Sequence, residues 1–123
     1  LTKEWDAIQQ NEKNKSSLIT GVVVARKDFV EAHPEAVVDF LEKYEASIKF
    51  VNEKNDEAAT MIESYDIIAG AVAKKALPFC NISYIAGKEM KEKLSGYLSV
   101  LNEQNPKSVG GSLPEDDFYY GAN

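Results

Sequence analysis

One stretch of the sequence, residues 18–25, constrains the fold more than any other. It reads LITGVVVA, which is apolar and rich in β-branched residues on both faces and carries no charge. Apolar runs without alternation are typical of strands that are covered on both sides, as in α/β sheets. Gly21 within the run indicates a bulge, or the close approach of another backbone or a ligand. The run therefore predicts a main strand over residues 18–26 and an α/β fold.

The remaining sequence is dominated by helical spacing. Pro34 suits the first position of a long helix, and Pro78 ends a shorter one. Residues 81–86 suit either a short second strand or an extended connection. The predicted helices cover about 34–52, a stretch from residue 55, about 69–77 and about 88–104. The sequence thus predicts one main strand and about four helices.

A single strand raises a difficulty for the chain as a whole. Its backbone groups need partners, since a buried unpaired polar group costs about 1–3 kcal/mol. Two strands far apart in sequence make a poor sheet. We therefore expect the partners to lie in a part of the protein outside this sequence or in another copy of the chain. The start at Leu1 rather than Met, with no signal peptide, favours a fragment or a processed form.

Composition argues against several classes of function. The 123 residues suffice for one small domain, and the net charge of -6 argues against binding to nucleic acid or to anionic lipid. The single cysteine excludes an internal disulfide and a zinc cluster of cysteines and histidines. No apolar run approaches the roughly 18 residues of a membrane span. We predict no cofactor.

Few side chains are candidates for catalysis or metal binding. Cys80 and the only histidine, His33, would have to form any nucleophile and base pair, and residue type alone supports that pair. The simpler interpretation is that Cys80 packs as a small buried hydrophobe. Residues 115–117 are acidic but match no calcium loop. We therefore predict that the chain is not an enzyme, and that the aromatic residues at 118–120 dock onto the rest of it.

A series of short motifs, taken in order, resembles a known family. The motifs are VVVARKDF at 22–29, HPEAV at 33–37, AKKALP at 73–78, CNI at 80–82, GKEMK at 87–91, NPKSVGG at 105–111, and LP with DDFYY at 113–120. The series resembles the C-terminal part of substrate-binding proteins of ABC importers, of the nitrate/sulfonate/taurine and thiamine-precursor type. The likeness covers nearly the whole chain. Asp66 departs from it, because the family has a glycine at that position, where a left-handed helix end suits glycine better.

The resemblance implies a two-lobed fold of the type II periplasmic-binding-protein kind, of which this chain would be the helix-rich C-terminal segment. Residues 18–26 would be the strand near the hinge. The remainder would comprise a linker or turn at 1–17, a helical part at 34–104 and a docked tail at 105–123. A protein of this family captures a small solute by lobe closure, without a cofactor, and delivers it to ABC permease subunits. The resemblance also implies an extracytoplasmic location, in the periplasm or as a lipoprotein.

Four residues are the predicted ligand contacts. Thr20 and Gly21 come first, because a glycine lets a ligand approach the backbone, and Cys80 and Asn81 in a later loop come second. No metal site is predicted. The residues leave open an alternative function, a non-catalytic helical interaction module that forms a homodimer through the strand at residues 18–25. A two-fold axis would let that strand pair with itself.

Overall fold

The architecture is all-helical. A computed structural model describes residues 2–9 and 16–122. These residues contain six α-helices and three short 3-10 turns, and 68% of them are helical. The helices are α1 (Thr2–Gln9), α2 (Lys27–Ala32), α3 (Pro34–Glu53), α4 (Asn55–Ser64), α5 (Gly70–Ala76) and α6 (Gly87–Gln104). The 3-10 turns are Leu77–Phe79, Pro106–Val109 and Asp116–Phe118.

The predicted α/β fold is wrong, and so is the predicted main strand at residues 18–26. Within the described ranges no residue belongs to a strand, and residues 16–26 run without a turn or bend up to α2. The physical reason is that a strand exists only where a second strand completes its ladder of hydrogen bonds. Residues 81–86, the other candidate, form an irregular connection. High β propensity without a partner strand does not make a sheet.

The four predicted helices are confirmed with small shifts at their ends. The long helix begins at Pro34 as predicted, and α5 ends just before the turn that contains Pro78. The sequence indicates only short turns near residues 2–8 and at 29–33, whereas the structure has the helices α1 and α2 there. Of the predicted linker or turn at 1–17, Thr2–Gln9 forms α1, and residues 10–15 lie outside the described residues.

The chain divides into two compact units, which we describe separately. Ala25–Tyr84 forms the hairpin unit, which contains helices α2 to α5. Leu1–Val24 and Ile85–Asn123 together form the tail unit, which contains α1, α6 and the C-terminal tail.

The closest packing in the hairpin unit joins α4 to α5. The helices meet through small side chains, since Ala58, Ala59 and Ala73 are only 2–3% exposed. A Cβ placed on Gly70 would lie 3.4 Å from the carbonyl oxygen of Ala59. The backbones of the two helices therefore approach so closely that larger side chains would not fit between them.

Two polar contacts fix α4 and α5 as an antiparallel pair. At one end the backbone N–H of Gly70 donates to Glu63 Oε1 at 3.0 Å. At the other end Lys74 Nζ lies 2.7 Å from Asp56 Oδ2. Because each contact joins the start of one helix to the end of the other, the register of the hairpin is set at both ends.

The link between these helices turns at Asp66. This residue has a φ of 54°, in the left-handed region that glycine prefers. The backbone N–H of Ile67 donates to the carbonyl of Ile62 at 3.3 Å, which closes the end of α4 in the manner of a Schellman motif. The helix therefore ends here although the position carries an aspartate rather than the glycine of the resembling family.

The tail unit is organised around α6. Trp5 of α1 lies with its ring centroid 5.4 Å from that of Tyr97 on α6, and its indole N–H donates to the hydroxyl of Ser16 at 3.1 Å. Ser16 is buried, with 7% of its surface exposed. After α6 the chain folds back, and the hydroxyl of Ser108 donates to the carbonyl of Leu101 at 3.3 Å. The two ends of the described chain in this unit thus both contact α6.

The last residues of the tail pack against the start of α6. Tyr119 is 5% exposed and Ala122 is 6% exposed, and Lys91 Nζ lies 2.8 Å from Asp116 Oδ1. A Cβ on Gly87 would lie 3.4 Å from the carbonyl oxygen of Gly121. Of the aromatic residues at 118–120, therefore, the middle one is buried, whereas its two neighbours are about half exposed.

The Tyr119 hydroxyl has a raised pKa. Burial disfavours its charged form and raises the pKa above the ordinary value of 10.0, Lys91 lowers it and Asp116 raises it. The folded chain therefore holds this phenol neutral at a pH where the unfolded chain has begun to ionise it.

Overpacking tests the alanine contact between α4 and α5. We expect Ala73→Leu to lower the free energy of unfolding by about 1–3 kcal/mol, because the added carbons enter a closed contact. Ala71→Leu is the matched control, since Ala71 lies on the same helix and is exposed. Its effect should stay within about 0.5 kcal/mol. Urea unfolding followed by circular dichroism measures both, and equal effects would contradict the packing described.

Alkaline unfolding tests the burial of Tyr119. A raised folded pKa means that this group leaves the free energy of unfolding unchanged below about pH 10 and lowers it as the pH rises further. In urea unfolding between about pH 9 and pH 11, Tyr119→Phe should therefore lose less stability than the parent chain. Tyr120→Phe, at a position 46% exposed, should behave as the parent does. Identical pH profiles for all three chains would show that Tyr119 is not buried.

Candidate functional site

Two of the predicted ligand contacts lie together in the hairpin unit, just after α5. Pro78 cannot continue the α-helix, so the chain passes through the 3-10 turn Leu77–Phe79. The backbone N–H of Cys80 donates to the carbonyl of Leu77 at 3.1 Å and closes this turn. Cys80 and Asn81 follow it and are both exposed. Local sequence therefore brings these two side chains to the surface.

Local hydrogen bonds hold this loop in shape. Asn81 has a φ of 50°, a left-handed conformation that asparagine tolerates better than most residues. Its Nδ2 donates to the carbonyl of Phe79 at 3.4 Å, and the thiol of Cys80 donates to the carbonyl of Ala76 at 3.3 Å. The expectation that Cys80 is buried is wrong, because Pro78 turns the chain outward at this point. The thiol acts here as a local hydrogen-bond donor.

Side chains of α3 contact the loop that contains Cys80 and Asn81. Asn52 Nδ2 donates to the carbonyl of Ile82 at 3.0 Å. About two turns nearer the start of α3, Tyr44 meets Tyr84 edge to face, with ring centroids 6.2 Å apart. Residues 79–84 therefore lie along α3, and we call them the site loop.

An aromatic cluster accompanies the site loop. Phe40 and Tyr44 stack with an angle of 12° between their rings and 5.6 Å between centroids, and Tyr84 joins them from the site loop. Phe40 is 47% exposed and Tyr44 is 38% exposed. We call these three residues the aromatic cluster. It offers partly exposed ring faces to a flat or apolar group, which would stack there with offset geometry.

The other two predicted contacts, Thr20 and Gly21, belong to the tail unit. Both are exposed. Within the described part of the chain, a Cβ placed on Gly21 would meet no atom within 4 Å. The predicted bulge is wrong because the segment is not a strand, and no approach of another backbone to this side of Gly21 occurs within the described residues. Its role as a ligand contact stays a prediction.

The sequence interpretation overlooked the aromatic cluster and Asn52. The helical spacing of Phe40 and Tyr44 predicts that both lie on the core-facing stripe of α3. The spacing is correct, since i and i+4 share a face, but in this chain the face is only partly covered. Nothing in the spacing of Tyr84 or Asn52 indicated that they would meet α3.

A shallow groove of about 330 Å³ lies between α4 and α5. Its charged side chains already have partners, because Glu63 accepts from the Gly70 amide and Asp56 pairs with Lys74. A ligand would have to displace these contacts, which set the register of the hairpin. The groove is therefore a structural feature of the hairpin unit.

Residues weighed for catalysis or metal binding have local structural contacts. The ring of His33 packs on Phe29 at 4.9 Å, and the thiol of Cys80 is bonded to Ala76. In the acidic segment at 115–117, Asp116 pairs with Lys91. Over residues 2–9 and 16–122, no group of three His, Cys, Asp or Glu side chains is arranged to hold a metal ion.

The candidate site therefore consists of an exposed loop that carries Asn81 and of a stacked aromatic face that this loop joins at Tyr84. Its chemistry suits reversible binding of a small molecule through stacking and hydrogen bonds. In the described part of the chain, no helix has both the length and the apolar character needed to cross a membrane. Comparison with family models, curated proteins and solved structures found no match to this chain.

Proposed function

We propose that this chain is part of the solute-binding component of an ABC importer. In that role it captures a small extracytoplasmic solute by closure around it and delivers the solute to the permease. The step involves no covalent chemistry and no cofactor. This function rests on the site and on the motif series rather than on an α/β architecture.

The observation that carries the proposal is the order of the motifs. VVVARKDF at 22–29 is followed by HPEAV at 33–37, and the series continues through CNI at 80–82 to NPKSVGG at 105–111. Each motif alone is common, whereas the whole series in this order is much less so. Cys80 and Asn81 of this series lie at the exposed surface of the site loop.

The chemistry of the candidate site favours one of the two solute classes of the resembling family. Stacked rings at Phe40 and Tyr44 suit a planar ring, which gains dispersion and quadrupole interactions on an aromatic face. Small anions such as nitrate or taurine gain little from such a face. We therefore propose a heteroaromatic solute of the thiamine-precursor type.

Calorimetric titration with three probes tests this function. The probes are an aminopyrimidine thiamine precursor, taurine and nitrate, each added to the 123-residue chain. We expect the aminopyrimidine to bind more tightly than the other two. Tyr44→Leu should weaken its binding by roughly two- to tenfold, since an aromatic contact contributes about 0.5–1.5 kcal/mol.

Tyr65→Leu is the matched control for Tyr44→Leu. Tyr65 belongs to the same unit, is 72% exposed and lies at the end of α4. Its replacement should leave binding unchanged. Binding of none of the three probes would contradict a solute site formed by this chain alone, whereas equal binding by the parent and Tyr44→Leu would contradict the location of the site.

A second pair of variants tests the amide of the site loop. Asn81→Gly removes the side chain and keeps the left-handed backbone, so a weaker binding would report the side chain alone. We expect roughly a tenfold loss, which corresponds to about one hydrogen bond to the solute. Asp66→Gly is the control, because Asp66 has a similar positive φ of 54°. An Asn81→Gly chain that binds the aminopyrimidine as the parent does would remove Asn81 from the site.

A further inference from the structure

The segment at residues 18–25 is apolar and unpaired, with Leu18 and Ile19 half-buried and residues 20–25 exposed. Val22, Val23 and Val24 are 57%, 51% and 77% exposed. Among residues 2–9 and 16–122, no backbone hydrogen bond involves residues 18–25. An uncharged run of this composition with free N–H and C=O groups is a template for pairing with another chain.

We propose that a second copy of this chain pairs with the segment, antiparallel, about a two-fold axis at Gly21. This interface lies beyond the proposed solute binding and does not rest on it. The single chain holds no strand within its described residues, and the pairing exists only in the dimer. The partner is therefore the same segment of a second molecule.

Self-complementarity of the sequence supports a second copy as the partner. With Gly21 facing Gly21, Thr20 lies opposite Val22 and Ile19 lies opposite Val23. Leu18 then lies opposite Val24, so that every apolar residue from 18 to 24 faces an apolar residue, Thr20 or Gly21. Cross-strand pairs of β-branched residues are favourable, by about 0.2–1 kcal/mol each relative to alanine. A two-fold axis makes each of these pairs twice.

Charge selects the antiparallel direction. The run is neutral, and Arg26 and Lys27 follow it directly. A parallel pairing in register would place Arg26 against Arg26 and Lys27 against Lys27, which is unfavourable. The antiparallel pairing places these cations of the two copies at opposite ends of the segment. An acidic or basic peptide, by contrast, would find no complementary charge along residues 18–25.

Gly21, which has no side chain, leaves space for the two backbones to approach each other closely at the two-fold axis. The two backbones come nearest at the axis, and a Cβ at this position would meet nothing within 4 Å in the single chain. Within the described residues, the Cβ side of Gly21 at the centre of the segment is therefore uncovered.

The exposed area of the chain leaves surface for such a contact. The accessible surface is 9510 Å². Two separate compact domains of half this mass would together expose only about 7,900 Å². The excess is larger than the roughly 800 Å² that each partner contributes to a standard interface.

Sedimentation equilibrium tests the interface with a matched pair of variants. Val23→Lys places a cation inside the paired segment, and Val72→Lys places one on α5 at nearly the same exposure, 49% against 51%. We expect the parent and Val72→Lys to form dimers. The dimer dissociation constant of Val23→Lys should rise by at least about tenfold, because each copy would then bury a charge beside an apolar partner.

A disulfide trap tests the register. In the Gly21→Cys, Cys80→Ala chain the two new cysteines would face each other across the axis, at a Cα separation of about 4.5–5.5 Å that a disulfide spans. Mild oxidation should give covalent dimers faster than in the parent, whose exposed Cys80 is the control for random encounters.

Four results would overturn the proposal. They are a parent chain that stays monomeric at all concentrations, a Val23→Lys chain that dimerises as the parent does, growth into assemblies larger than a dimer, and oxidation at position 21 no faster than at Cys80. None of these four results depends on the titration with solutes. The experiments can therefore contradict the dimer interface without contradicting the solute-binding function, and the reverse.

Discussion

Burial of apolar side chains is the constraint on which the rest of this structure depends. The buried apolar residues of the described chain are few and mostly small, and Ile48 and Tyr119 are the largest among them. The hairpin unit is consequently held by the close approach of α4 and α5 at three alanines, together with polar contacts at both ends of the pair. The tail unit is held by the packing of Tyr119 and its neighbours against the start of α6. Much of the remaining apolar surface, residues 22–24 in particular, is uncovered.

Helices were predictable from the sequence because their signals are local. Pro34 begins α3 and Pro78 stops α5 through the geometry of proline alone, and neither effect needs a distant partner. The strand was not predictable in this way. The composition of residues 18–25 indicates a strong preference for pairing as a β-strand. Whether a partner strand exists, however, depends on the whole assembly. The prediction of a sheet is wrong, whereas the expectation that this segment pairs with a partner outside the chain stays a prediction.

The difference between local signals and contacts with distant elements also explains how much of the candidate site was predicted. Cys80 and Asn81 were placed in a loop because Pro78 ends the helix before them, and they lie there. The aromatic cluster was missed because helical spacing gives the face of a residue but not what covers it. Phe40 and Tyr44 lie on the predicted stripe of α3, and only the position of Tyr84 on the site loop reveals the cluster. Contacts between elements that are far apart in sequence could not be predicted from local sequence rules.

The uncharged segment at residues 18–25 connects these observations, because its backbone groups have no strand partner within the described residues. Hydrogen–deuterium exchange, followed by mass spectrometry across a range of protein concentrations, measures its pairing most directly. At low concentration the amides of residues 18–25 should exchange at the rate of an unstructured peptide. They should become protected as the concentration rises, while the amides of α3 remain equally protected throughout. Protection of residues 18–25 that does not change with concentration would contradict the account, because it would place their hydrogen-bond partners within a single chain.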